Sequence, residues 1–174
     1  MISVIASVAL VGLLLAACWF DVRTRRIPNA LTVAGLVAVL VLRAFLGAGA
    51  VLEGVAAAGV AMLVALPPFA LGMLGGGDAK LLAAVGGFMG LDHVVGALLA
   101  IAVLGGGLAV VEAIRQRALP QVIANTFGFA KQWLLLGRFG LAPTIDSPRA
   151  LTLPYGVAIA AGALLWWFLA GVQL

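Results

Sequence analysis

The sequence predicts an all-α, polytopic membrane protein with about six transmembrane helices, and three observations carry that prediction. Of 174 residues, 65% are hydrophobic and only 9% are charged, against roughly half and a quarter in soluble domains. The mean hydropathy is +1.26. The apolar residues fall in long unbroken runs, which suit helices, because hydrocarbon forces the backbone to satisfy its own hydrogen bonds. Short alternating segments, the mark of a membrane barrel, are not the pattern here. A single integral-membrane domain over residues 1–174 is expected.

The first span runs from about Ile2 to Phe20, close to the ~20 residues a bilayer core requires. Its end, Leu15-Ala16-Ala17-Cys18, has the look of a lipoprotein processing box. No Lys or Arg precedes the run, however, as a signal peptide would have, so it is read as a retained helix. The polar stretch Asp21 to Asn29 follows, and Pro28 disfavours helical geometry at Ile27. Span two covers about Ala30 to Leu46, with Arg43 placed to snorkel from its far end. A short loop, Gly47 to Glu53, leads to span three, Gly54 to Leu74, which Pro67-Pro68 should kink.

After Gly75-Gly76-Gly77-Asp78 comes a short apolar run, Ala79 to Leu91, marginal for spanning on its own. Gly86 and Gly90 form a GxxxG pair suited to close helix contact. Asp92-His93 marks a turn, and span five covers about Val94 to Val111. The polar-containing stretch beyond it, about 114–149, is expected to be a cytoplasmic loop with an amphipathic helix. Ile123, Phe127, Ala130 and Leu134 there recur at helical spacing beside Lys131 and Arg138. Asp146-Ser147-Pro148 reads as a helix start. The last span runs from about Leu151 to Leu169, with Trp166 and Trp167 as expected interface anchors.

Charge orients these spans. With the N-terminus outside, Arg23, Arg25, Arg26, Lys80, Arg115, Arg117, Lys131, Arg138 and Arg149 share one face, and Arg43 stands alone on the other. Positive charge collects on the cytoplasmic side, so the net charge of +4 reflects topology and not nucleic-acid binding. The same alternation puts Asp21 and Asp78 together at the cytoplasmic interface.

An acid in such surroundings is costly and by default a functional candidate. For Asp78 the plainer reading is a turn whose carboxylate caps the next helix. Two carboxylates sharing a site hold one proton between them. The ionised one can then take a proton from water while the protonated one polarises a carbonyl. That chemistry needs neither a metal nor a nucleophilic side chain, and one His with one Cys supplies no metal cluster.

Gly75 to Lys80, continuing Leu81-Leu82, resembles the GxGD motif of type IV prepilin peptidases. Asp21 with Arg23, Arg26, Ile27, Pro28 and Asn29 is similar to the segment around that family's first catalytic aspartate. Leu153-Pro154-Tyr155-Gly156 resembles its third signature, a proline, an aromatic and a glycine. The match looks like the small TadV- and CpaA-like branch that serves Flp-type tight-adherence pili. The resemblance implies Asp21 and Asp78 as the catalytic pair, with no cofactor. It implies hydrolysis of the bond after a glycine, where a prepilin's apolar N-terminal helix meets the cytoplasmic face of a bacterial inner membrane. Lipid and the pilus or secretion machinery are the other expected partners, and nucleic acid is not one. Larger relatives carry an N-terminal insertion with two CxxC pairs, linked to zinc and to N-methylation. The insertion is not found here, so peptidase activity alone is expected.

The remaining polar residues have plainer readings. Lys80 is an interfacial charge or tunes the pair; Asn29 caps a helix; Pro154 and Gly156 shape packing; Glu112 pairs with Arg115; Asp92 and His93 belong to a loop. Arg23, Arg25 and Arg26 set topology. Two other functions stay open at this point, a small ion- or proton-coupled transporter and a noncatalytic assembly subunit. A transporter would be expected to carry its acids nearer the membrane midplane.

Overall fold

One short helix is buried on nearly every side, and the others are wrapped around it. The structure is a computed structural model that describes residues 2–117 and 155–172. The described residues form six helices: α1 (Ile2–Thr24), α2 (Asn29–Ala44), α3 (Ala48–Ala70), α4 (Gly76–Met89), α5 (Leu91–Arg115) and α6 (Tyr155–Leu169), with no strand among them. The buried helix is α4, which touches each of the other five. Every residue from Leu81 to Met89 is buried, as expected of a helix that is apolar all round. Its 14 residues extend only about 21 Å, short of the ~30 Å hydrocarbon core. Protein, not lipid, surrounds it, so its shortness leaves no polar backbone in hydrocarbon.

Helices α1, α3 and α5 are long and apolar enough to cross a membrane, and α2 and α6 are shorter apolar helices. Their outer faces carry exposed large side chains such as Val8, Leu15, Leu63, Leu99 and Val103. An apolar exterior over a packed interior is what a bilayer solvent selects, and the chain is an all-helical, multi-pass membrane protein. Successive helices alternate in direction. The α1–α2 turn, the α3–α4 turn and the start of α6 therefore meet at one end, where Gly156 donates to Asp21 and Gly77 lies against Ile27.

Several local expectations need correction. Helix α1 continues through Asp21 to Thr24, so Asp21 stands in its last turn and not in a loop. Arg25 ends the helix in a left-handed conformation (φ 54°), its N–H donating to the Asp21 carbonyl at 2.9 Å. Pro28 stands at the N-cap of α2 without a side-chain cap bond, so Asn29 is not a cap. The segment expected as a loop after Gly47 is already helical from Ala48. Pro67 and Pro68 lie at the end of α3, which stops at Ala70; their carbonyls accept N–H groups of the following turn. Of the GxxxG pair, only Gly86 packs helix to helix, against Ala57 and Ala61 of α3. Gly90 instead turns the chain between α4 and α5 (φ 74°), and Asp92 lies in the first turn of α5.

Arg43 does not snorkel. It is 4% exposed and donates to the Gly87 carbonyl (2.8 Å), the Ala50 carbonyl (3.3 Å) and Glu53 Oε2 (3.2 Å). The last turn of α4 has carbonyls with no partner inside the helix, and a buried guanidinium meeting one of them has its charge balanced by Glu53. Trp166 and Trp167 also turn inward, away from a lipid-facing anchor position. Trp167 is buried and its Nε1 donates to Ser7 Oγ at 3.1 Å, while the Trp166 ring covers Gly96 of α5. The expected amphipathic helix, with Ile123, Phe127, Ala130, Lys131, Leu134 and Arg138, lies outside the described residues. So do the Asp146-Ser147-Pro148 start, Arg149 and Pro154.

Candidate active site

Asp21 shares the inward face of α1 with the buried Ala17 and Leu14, one and two turns back, as helical periodicity requires. It is 6% exposed. Its Oδ2 accepts the Gly156 N–H at 2.7 Å. Gly156 is the second residue of α6, and the first N–H groups of a helix have no partner within it. The carboxylate thus sits where the helix dipole favours negative charge. Approach this close depends on the glycine: a Cβ at 156 would lie 2.9 Å from Asp21 Oδ2 and 3.1 Å from its Cβ.

Asp78 occupies the first turn of α4. Its Oδ2 accepts the Gly75 N–H at 3.2 Å, the reach-back half of a capping box. The plain reading of Asp78 as a capping acid is therefore correct for one oxygen. The other, Oδ1, is buried with no hydrogen-bond partner among the described residues. Gly77 allows the turn carrying Asp78 to lie on the α1–α2 connection, since a Cβ there would stand 2.8 Å from the Ile27 carbonyl oxygen. Ile27 itself is buried. Across the same junction Lys80 Nζ donates to Asn29 Oδ1 at 2.8 Å, which gives both side chains a joining role that neither plain reading supplied.

These contacts bring three separated sequence segments to one place. Asp21 and Asp78 are close enough for the charge of one to act on the other. Tyr155, which opens α6, stands within electrostatic reach of Asp78 and lays its ring against Gly105 of α5. Pro28 frames the turn that presents Ile27 and Asn29, while Gly76 packs beside Phe69. Asp92 and His93 begin α5 and belong to the opposite end of the bundle. Glu112 pairs with Arg115 at 3.8 Å, as expected, and also accepts from Gln116 at 2.7 Å.

One neighbour of the site escaped the sequence reading. Cys18 Sγ approaches the Gly156 carbonyl at 3.6 Å, and its position three residues before Asp21 on the same helix face was the available signal.

An all-helical membrane protein that gathers two acids, a glycine turn and a helix N-terminus at one end of its bundle has the makings of an intramembrane hydrolase. The model of the type IV leader peptidase family matches residues 8–110, more than half of the chain. The protein belongs to that family of peptidases. Neither a curated protein nor a solved structure matches the chain.

Proposed function

We propose that the protein is an aspartic leader peptidase whose catalytic pair is Asp21 and Asp78. Its substrate is a type IV prepilin of the Flp type, cut after the leader glycine at the cytoplasmic face of a bacterial inner membrane. The observation that carries the reading is Asp78 Oδ1, a buried carboxylate oxygen with no partner among the described residues, within electrostatic reach of a second carboxylate. Buried polar atoms are nearly always satisfied, and a water shared with Asp21 would satisfy this one.

In the reaction, the ionised member of the pair takes a proton from that water as its oxygen attacks the scissile carbonyl carbon. The protonated member gives its proton to the carbonyl oxygen. On collapse of the tetrahedral diol the protonated member of the pair gives its proton to the departing amine while the ionised member takes one diol proton, so the carboxyl product forms, the pair again holds one proton, and one water is consumed per bond cleaved. Acid and base are roles of the pair, which titrates as a unit. The Gly156 N–H and the Gly75 N–H each hold one carboxylate oxygen, and in this reading the second oxygen of each acid meets the shared water.

The excess of Lys and Arg at the end bearing the acids supports a cytoplasmic site and an outside N-terminus. A single membrane domain over residues 1–174 is part of the same reading, with lipid and the pilus machinery as partners and no cofactor. The single cysteine supports peptidase activity without the methyl transfer linked to paired CxxC motifs. Co-expression with a candidate Flp-type prepilin, read by gel shift, tests the proposal. Leader removal by the native protein and its loss in both Asp21→Asn and Asp78→Asn are expected. Undiminished processing in either variant would refute the pair.

A further inference from the structure

We infer that the apolar pocket between α3, α4, α5 and the start of α6 receives the substrate's first or second side chain past the cleaved bond. The inference rests on the leader-peptidase reading and names a subsite for it. The pocket has a volume of about 260 Å³ and is lined by apolar side chains, among them Val64, Leu74, Leu82, Leu98 and Ala102, together with Tyr155. That is less than the ~300–1,000 Å³ of sites that enclose a whole drug-sized ligand, so it suits one or two side chains and not a helix.

Three observations tie the pocket to the acids. Leu74 and Leu82 stand four residues either side of Asp78. Leu82 lies on the same face of α4, one turn away from the end that bears the pair. Tyr155 belongs to both places: it lines the pocket, stands within electrostatic reach of Asp78, and precedes the glycine that holds Asp21. Val64 and Ala102 are exposed on the outer surface of the bundle, so the pocket's wall reaches lipid between α3 and α5. The depth agrees as well. One helical turn is about 5.4 Å and an extended residue advances about 3.3 Å. A chain cut beside Asp78 and running into the bilayer therefore places its first or second following side chain level with Leu82. Because such a substrate is apolar beyond the cut, a lipid-side apolar pocket is the matching surface.

Photocrosslinking of the full-length Asp78→Asn protein in nanodiscs tests this. The probe is a model prepilin whose leader ends in glycine, with a photoreactive residue at the first, second or sixth position beyond it. Crosslinks from the first or second position to Val64, Leu98 or Ala102 are expected, and the sixth should mark other residues. Crosslinks from the first two positions confined to α1 or α2, or none at all, would overturn the subsite. The same gel reports leader release, so cleavage by Asp78→Asn would refute the catalytic pair without touching the crosslink map.

A second variant, Ala102→Phe with both acids intact, fills the pocket. It should lower kcat/KM about 10- to 100-fold for substrates with Leu or Phe at that position. A substrate with Ala there should change less than about threefold. Equal losses for all three would contradict the assignment.

Discussion

A methyl group added at position 156 would land against the Asp21 carboxylate. The Cβ of Gly156→Ala would stand 2.9 Å from Oδ2 and 3.3 Å from Cγ, whereas ordinary carbon contacts begin at about 3.5 Å. Relief requires the carboxylate and α6 to part by roughly half an ångström. The 2.7 Å bond from the Gly156 N–H would then stretch toward the ~3.2 Å limit of useful geometry. A hydrogen bond to a charged group contributes about 1.5–3 kcal/mol. Losing most of it from a group whose placement sets the rate should cost about 1–2 kcal/mol, or about 5- to 30-fold in kcat/KM. The helix itself should not suffer, because Ala is the better helix former by up to ~1 kcal/mol. Cleavage of a purified model prepilin measures the rate, and thermal unfolding in the same detergent measures the fold. Gly106→Ala, where a Cβ meets nothing within 4 Å, is the control and should leave kcat/KM unchanged. Gly156→Ala activity within twofold of the native protein, at unchanged Tm, would refute the role given to this contact.

Gly77→Ala should be worse than Gly156→Ala, because its Cβ would meet the Ile27 backbone carbonyl at 2.8 Å, which has no rotamer to yield. Activity and Tm should fall together, by several degrees in a melting scan. Arg43→Met removes the bond to the Gly87 carbonyl and leaves Glu53 without its charge partner, with only the Leu91 N–H still donating to it. A fully buried pair broken this way costs about 3–5 kcal/mol; with the Glu53 side chain 42% exposed, about 2–3 kcal/mol is expected in detergent unfolding, largely recovered in Arg43→Met/Glu53→Gln. Lys80→Met loses an exposed 2.8 Å bond to Asn29 and should cost less than about 1 kcal/mol. Its effect should not add to that of Asn29→Ala, as a double-mutant cycle would record.

Much of this arrangement was legible in the chain. Long apolar runs dictated helices, and alternating direction with the charge bias brought Asp21 near Asp78. That Asp78 would cap the helix after the glycines was also legible, although it does so from the third position inside the helix and not from the residue before it. What escaped depends on partners distant in sequence. Arg43 reads as a snorkelling residue until Gly87 and Glu53 are seen around it. Trp166 and Trp167 read as lipid anchors because their composition matches, yet Ser7 and Gly96 offered a donor's partner and a flat seat inside the bundle. Cys18 looked like a processing box because its neighbours are small, and its place beside Gly156 emerges only when α6 packs on α1. The helix count near α4 was ambiguous for a related reason: length alone cannot tell a short span from a helix sheltered by five others.

Whether the two acids act as one unit is measured most directly by single and double substitution in purified protein. With a model prepilin as substrate, kcat/KM would be determined for Asp21→Asn, Asp78→Asn and the double variant, each at native Tm. If the pair shares one water and one proton, each single change should reduce the rate about 10³-fold or more, and the double should be no slower than the worse single. A single variant within tenfold of the native rate, or losses that simply multiply, would contradict the two-aspartate centre.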